Sequence, residues 1–105
     1  MTKDKTPLNS QNQPHGTWEH YYFNGDLSSK GNYINDNKDG TWESYYSDGD
    51  LHYKGNYTNG NREGTWERYY SNGELYSKGN YTNGNQDGTW FENWRNDKQA
   101  LYLNL

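Results

Sequence analysis

An all-β fold, an elongated single antiparallel sheet of stacked β-hairpins, is what this sequence predicts. Three observations predict it: a 24-residue repeat, Asn-Gly and Asp-Gly pairs that punctuate each repeat, and an apolar content made of rings rather than aliphatic side chains. Gly-Thr-Trp recurs at Gly16, Gly40, Gly64 and Gly88, a constant step of 24. Residues 40–63 and 64–87 agree at 17 of 24 positions, residues 16–39 follow the pattern more loosely, and residues 88–105 open a fourth unit that then diverges. Such periodicity marks a repeat architecture in which each unit buries its apolar surface against its neighbours. Residues 1–15 form a polar leader, expected to be mobile.

Leu, Ile, Val and Phe together supply only ten of the 105 residues. A value that low, under the ~20% line, ordinarily signals disorder. Disordered chains are also poor in aromatics, whereas this one holds 12 Tyr and 5 Trp at regular intervals. The rings are therefore the core.

Within a unit, glycines fall too often for a helix, and Thr, Tyr and Trp fill the stretches between them. Thr41–Tyr46 and Leu51–Tyr57 read as strands, each followed by an Asp-Gly or Asn-Gly pair, a strong hairpin signal. With Asp48-Gly49 as a two-residue turn, Glu43 opposes Lys54, Trp42 opposes Gly55 and Tyr46 opposes Leu51. The same rule at Asn24-Gly25 sets Glu19 against Lys30 and Trp18 against Gly31. At Asn72-Gly73 it sets Glu67 against Lys78 and Trp66 against Gly79. A register taken from turn chemistry thus yields charge pairs and Trp–Gly pairs in three units.

The second turn, Asn59-Gly60, has room for a longer loop; read as two residues it sets Trp66 opposite Tyr53. It joins the hairpins into one meander of up to eight strands with two unlike faces. Trp42, Tyr46, Leu51, Gly55 and Tyr57 fall on a tryptophan face, expected to be packed. Thr41, Glu43, Tyr45, Lys54 and Asn56 fall on a ladder face. His20, Ser44 and Arg68 share the parity of the tryptophan face yet differ in character, which points to a groove left partly open. In the last unit a turn at Asn96-Asp97 sets Phe91 against Tyr102 and Trp90 against Leu103, with Leu101 and Leu105 on the packed face.

The consensus G-T-W-E-x-Y-Y-x-(N/D)-G-x-L-x-x-K-G-N-Y-x-N-G resembles the variant MORN repeat, in the form found in bacterial YwqK-family antitoxins. The resemblance covers residues 16 to about 95. It implies MORN-like repeats 16–39, 40–63 and 64–87 with a divergent unit 88–105, stacked hairpins, and binding of another protein, often a toxin or effector encoded nearby. Choline- and cell-wall-binding repeats also space Trp, Tyr-Tyr and Gly along hairpins. They usually belong to exported proteins, and no signal peptide is visible here, so a cytoplasmic location is expected.

Other chemistry finds little support. With no cysteine, disulfides, thiolate catalysis and Cys-ligated zinc are excluded. A formal net charge of −4 argues against gripping nucleic acid, and no apolar run could insert in a membrane as a helix. His15, His20 and His52 occupy different repeat columns and are not placed to share a site. Glu19, Glu43 and Glu67 each face a lysine and read as cross-strand pairs rather than a general acid and base. Asp39, Glu63 and Asp87 lie one per repeat, without the spacing of a calcium loop. No catalytic residue, metal or cofactor is expected.

Recognition residues are expected on the ladder face: the column Tyr21, Tyr45, Tyr69, and the apolar end Phe91 with Tyr102. Tyrosine offers a large rigid contact at little entropic cost. Trp18, Trp42, Trp66, Trp90 and Gly31, Gly55, Gly79 are expected to be structural. The expected function is a non-catalytic inhibitor, antitoxin or immunity protein acting by occlusion. The alternatives are a carbohydrate- or choline-binding aromatic module, and a self-assembling element whose sheet ends pair chain to chain as a homo-oligomer.

Overall fold

A computed structural model describes residues 4–93 and 101–104. Eight strands follow one another in a single antiparallel sheet, in chain order. They are β1 (Gly16–Tyr21), β2 (Leu27–Ile34), β3 (Asn37–Tyr45), β4 (Leu51–Thr58), β5 (Asn61–Tyr69), β6 (Leu75–Thr82), β7 (Asn85–Glu92) and β8 (Leu101–Asn104). Among the described residues there is no helix, and so none long and apolar enough to cross a membrane. The molecule measures 48 × 34 × 12 Å. Twelve ångströms is about one sheet's thickness, so the described residues form no second layer on either face.

The register carries the expected pairs: Glu43↔Lys54 and Trp42↔Gly55, Glu19↔Lys30 and Trp18↔Gly31, Glu67↔Lys78 and Trp66↔Gly79. Phe91↔Tyr102 and Trp90↔Leu103 also hold. The expected turn Asn96-Asp97 and Leu105 lie outside the described residues.

Two register details differ from expectation. At Asp48-Gly49 the loop has three residues: Tyr46 N donates to Asp50 O at 2.8 Å and Gly49 N to Tyr46 O at 2.9 Å. Only Gly49 has a positive φ there, at 96°. This is a type I turn closed by a left-handed glycine, not a two-residue mirror-image turn. The extra residue shifts the register, so Leu51 pairs with Tyr45 instead of Tyr46 and moves to the ladder face, with His52 as the added residue. At Asn59-Gly60 both residues have positive φ, 51° and 84°, and Thr58 pairs directly with Asn61. That turn is the tight one.

The second difference lies between β4 and β5. Asn56 pairs with Glu63 and Lys54 with Glu67, so Gly55 alone stands against Gly64, Thr65 and Trp66. Trp66 is therefore not opposite Tyr53. Two extra residues preserve side-chain parity but throw the Trp66 indole back across Gly55, where an added Cβ would meet Trp66 Cδ2 at 2.0 Å. Gly31 likewise receives Trp42, and Gly79 receives Trp90. Each glycine thus pairs in backbone register with the tryptophan of its own unit, while its surface carries the indole of the next.

The indoles are tied as well as packed. Nε1 of Trp42, Trp66 and Trp90 donates to the carbonyls of Asn32, Asn56 and Asn80 at 3.0–3.1 Å. Rings run on without a break through Trp18, Tyr33, Trp42, Tyr57, Trp66, Tyr81 and Trp90, with centroids 5.0–6.2 Å apart. Among the described residues Trp42, Trp66 and Trp90 are the buried hydrophobic ones. Tyr22 and Tyr46 hydroxyls reach forward to the carbonyls of Tyr45 and Tyr69, and that of Tyr70 to Asn93.

The leader, expected to be free, is tied from Asp4 onward. Lys5 exchanges two backbone hydrogen bonds with Glu19 at 2.8 and 2.9 Å, and Trp18 Nε1 donates to Pro7 O at 2.9 Å. Pro14 O accepts from Asp36 N as Lys38 O does from Gly60 N. The leader stands where a preceding repeat would.

Candidate functional site

Both faces are open to solvent, and they differ in kind. Across the ladder face runs a row perpendicular to the strands: Glu19, Lys30, Glu43, Lys54, Glu67, Lys78, then Phe91 and Tyr102. Lys78 Nζ is 3.5 Å from Glu67 and Lys30 Nζ 4.0 Å from Glu19, and Lys5 extends the row at 3.6 Å from Glu19. Alternating charges one strand apart attract one another, and exposed pairs of this kind add little stability.

The tyrosine column lies beside this row, as expected. Tyr21 donates its hydroxyl to Glu19 at 3.0 Å, and Tyr45 donates to Glu43 at 3.1 Å. Burial, with Glu43 adjacent, raises the Tyr45 phenol above its ordinary range, and burial and Glu67 do the same for Tyr69. For Tyr21 the hydrogen bond to Glu19 is the largest cause. The three rings are half-buried and still available for contact along one edge. Phe91, half-buried, stands between Lys78 and Tyr102 in register.

The histidines do not converge. His15 accepts from Asn35 N at 3.1 Å, His20 lies 3.2 Å from Asp4, and His52 sits between the Tyr46 and Tyr53 rings at 4.5 and 5.2 Å. Burial, then the Arg68 charge, lowers the His52 pKa.

On the tryptophan face a groove of about 270 Å³ opens between the second and third units. Its floor is Trp66, Tyr57, Tyr81 and Trp90, and its rim carries Arg62, Arg68, Tyr53, Glu67, Tyr76, Ser77, Gln86 and Glu92. The Arg62 guanidinium lies 5.1 Å from the Trp66 ring and 5.2 Å from Tyr81, and donates to the Tyr81 hydroxyl at 3.0 Å. One unit earlier Lys38 Nζ sits over Trp42 and Tyr57 at 4.7 and 5.1 Å. Arg68 stands 6.0 Å from the Tyr76 ring, which stacks on Tyr70 at 4.9 Å.

This groove is where the odd column belongs. His20, Ser44, Arg68 and Glu92 occupy one repeat position, and Pro14, Lys38, Arg62 and Gln86 another. Ser28, His52 and Tyr76 form a third, and Ser29, Tyr53 and Ser77 a fourth. All four columns contribute to the groove rim. By contrast, six ladder-face columns are identical in the first three units, those of Thr17, Glu19, Tyr21, Leu27, Lys30 and Asn32. Column-by-column comparison of the repeats would have exposed Arg62, Gln86 and Tyr76, which reasoning by residue type passed over.

The profile of the family described as "MORN repeat variant" matches residues 14–35, 38–59 and 62–83, well over half of the chain. Each match spans one hairpin with its three-residue loop and ends on the first residue of the tight turn that follows. Comparison with curated proteins returns no match.

Proposed function

The chain belongs to the MORN repeat variant family, whose repeats generally serve as protein- or membrane-binding modules, and from that premise we propose that it is a non-catalytic protein-binding repeat protein of the antitoxin or immunity type, which neutralises a partner by occlusion. The observation that carries this reading is the single-layer ribbon: 12 Å thick, with both broad faces uncovered by the described residues and Trp42, Trp66 and Trp90 the buried hydrophobic residues among them. A sheet that uses its rings to hold adjacent repeats together, rather than to enclose a cavity, presents extended area to a partner. A column of tyrosines and the Phe91 end on one face, and a ring-floored groove on the other, are surfaces of the composition that protein interfaces favour.

A choline- or sugar-type ligand is the weaker reading for a specific reason. The ring surfaces that would cage a cation or stack on a sugar already carry the chain's own Lys38 and Arg62. Co-expression with the product of the adjacent gene tests the proposal. Co-purification and relief of that product's toxicity are expected; a chain that neither binds nor protects would overturn the antitoxin role. Tyr45→Ala with Tyr69→Ala reports on the ladder face: a complex retained at full strength removes the tyrosine column from the contact.

A further inference from the structure

The charges of this molecule are sorted by face. Its net charge is −4, yet the carboxylates Glu19, Glu43 and Glu67 lie in the ladder row, and Asp26, Asp48, Asp50 and Glu74 lie at the turns. Of the strand cations, Lys38, Arg62 and Arg68 lie on the tryptophan face, with the acidic residues Glu67 and Glu92 also lining the groove. Among the described residues the ion pairs are Lys5–Glu19, Lys30–Glu19, Lys78–Glu67 and His20–Asp4. None of these involves Lys38, Arg62 or Arg68. On the ladder face Lys5, Lys30 and Lys78 have carboxylate partners, whereas Lys38, Arg62 and Arg68 lean on rings.

That arrangement suits recognition. A guanidinium presents five N–H donors, and that of Arg62 lies 5.1 and 5.2 Å from the centroids of two rings while donating to the Tyr81 hydroxyl. A fork immobilised in advance loses less freedom when it grips a carboxylate. Arg62 and Arg68 lie on the same strand, on either side of Trp66, so an extended segment lying along β5 could engage both. The groove falls just below the ~300–1,000 Å³ of small-molecule pockets, which suits a few side chains of a longer partner.

We infer that the tryptophan-face groove, rather than the tyrosine column, is the recognition site, and that it takes an extended acidic segment of a partner protein, its carboxylates on Arg62 and Arg68 and its intervening side chains in the groove between them. The inference rests on the protein-binding reading above and specifies its surface and partner chemistry. Variation among the repeats supports the choice of face: the scaffold columns are constant, and the columns rimming the groove differ from unit to unit. An anionic membrane fits less well, because polybasic lipid recognition uses about four to eight clustered cations, against Lys38, Arg62 and Arg68 here. A nucleic acid would also meet the repulsion of the acidic chain as a whole.

The repeats themselves supply conservative variants. Gln86 occupies the Arg62 column and Ser44 the Arg68 column, so Arg62→Gln and Arg68→Ser introduce residues the array already accommodates. Full-length protein is titrated into short fluorescein-labelled peptides of alternating Glu and Ser, Gln and Ser, or Lys and Ser, with anisotropy as the readout and circular dichroism as the control for folding. The expected result is binding of the Glu peptide alone, weakening with salt. It falls about tenfold or more in the Arg62→Gln/Arg68→Ser double variant, as loss of charge-assisted bonds implies, and is unchanged in Tyr45→Ala/Tyr69→Ala. Equal binding of the Gln peptide, or full binding by the folded Arg variant, overturns the inference. So does arginine-dependent binding to phosphatidylserine vesicles without binding of the Glu peptide. If the adjacent-gene product is bound equally by wild type and the Arg variant, this assignment fails while the protein-binding reading stands. If the Glu peptide occupies the groove but the adjacent-gene product is not bound, the assignment stands and the antitoxin role falls.

Discussion

Glycine does two unrelated jobs in this chain, and single substitutions separate them. At Gly55 the requirement is space, since a methyl group would overlap the Trp66 indole at 2.0 Å. Gly49 has nothing within 4 Å of an added Cβ but sits at φ +96°. Gly55→Ala is therefore expected to cost about 3 kcal/mol or more, by expelling an indole from its seat. Gly49→Ala should cost about 1 kcal/mol, the penalty of a left-handed residue. Urea denaturation of both variants checks the ranking; equal losses would mean that the indole seats are not what joins the repeats.

His52 provides a pH signature at the same scale. Its pKa lies below the ordinary value because burial, and then Arg68, disfavour the imidazolium. As pH falls through about 6.5 the unfolded chain takes up this proton before the folded chain does, so the fold loses stability on acidification and keeps it above that pH. His52→Ser, the residue of the Ser28 position, should flatten that part of the dependence of Tm on pH. Arg68→Ser should raise the His52 pKa toward its ordinary value in an NMR titration. An unmoved pKa would place Arg68 elsewhere.

At the scale of the hairpin, the three tight turns use two left-handed residues each, and one pair lacks glycine. Asp36 sits at φ +79°, where the other units have Gly60 and Gly84 at 84° and 85°. Asp36→Gly is expected to stabilise the fold by up to about 1 kcal/mol, measured as a higher urea midpoint at constant slope. The strands, their order and the Glu–Lys and Trp–Gly pairs were legible in the sequence because Asn-Gly and Asp-Gly punctuate every unit. Which loop was longer was not. A left-handed glycine closes both turn types, and only the φ of the preceding residue, positive at Asn59 but not at Asp48, distinguishes them. The three-residue loop moved Leu51 across the sheet, and the two residues inserted before Trp66 carried its ring to Gly55, a displacement that strict alternation cannot express. The groove was half legible. His20, Ser44 and Arg68 marked it, but its cations and rings meet only because indoles lean into the neighbouring unit.

For the molecule as a whole, the radius of gyration is 15.5 Å, against about 13 Å for a compact chain of this length. The excess reflects a core that is a line of rings rather than a centre, and it is why the repeats depend on one another. The leader enters here too, because Trp18 lacks a preceding glycine seat and donates instead to Pro7. Removing residues 1–13 is expected to lower Tm by several degrees, the equivalent of about 1 kcal/mol, by leaving the β1 edge and that indole exposed. Unchanged melting would mean that the leader contributes nothing to the array.

Recognition in the groove requires that the tryptophan face be uncovered in solution. Small-angle X-ray scattering of the full chain, carried to high concentration, tests that requirement most directly. The account predicts a monomer with a radius of gyration close to that of the single sheet. A particle of doubled mass and doubled thickness, two ribbons face to face over Trp42, Trp66 and Trp90, would contradict it.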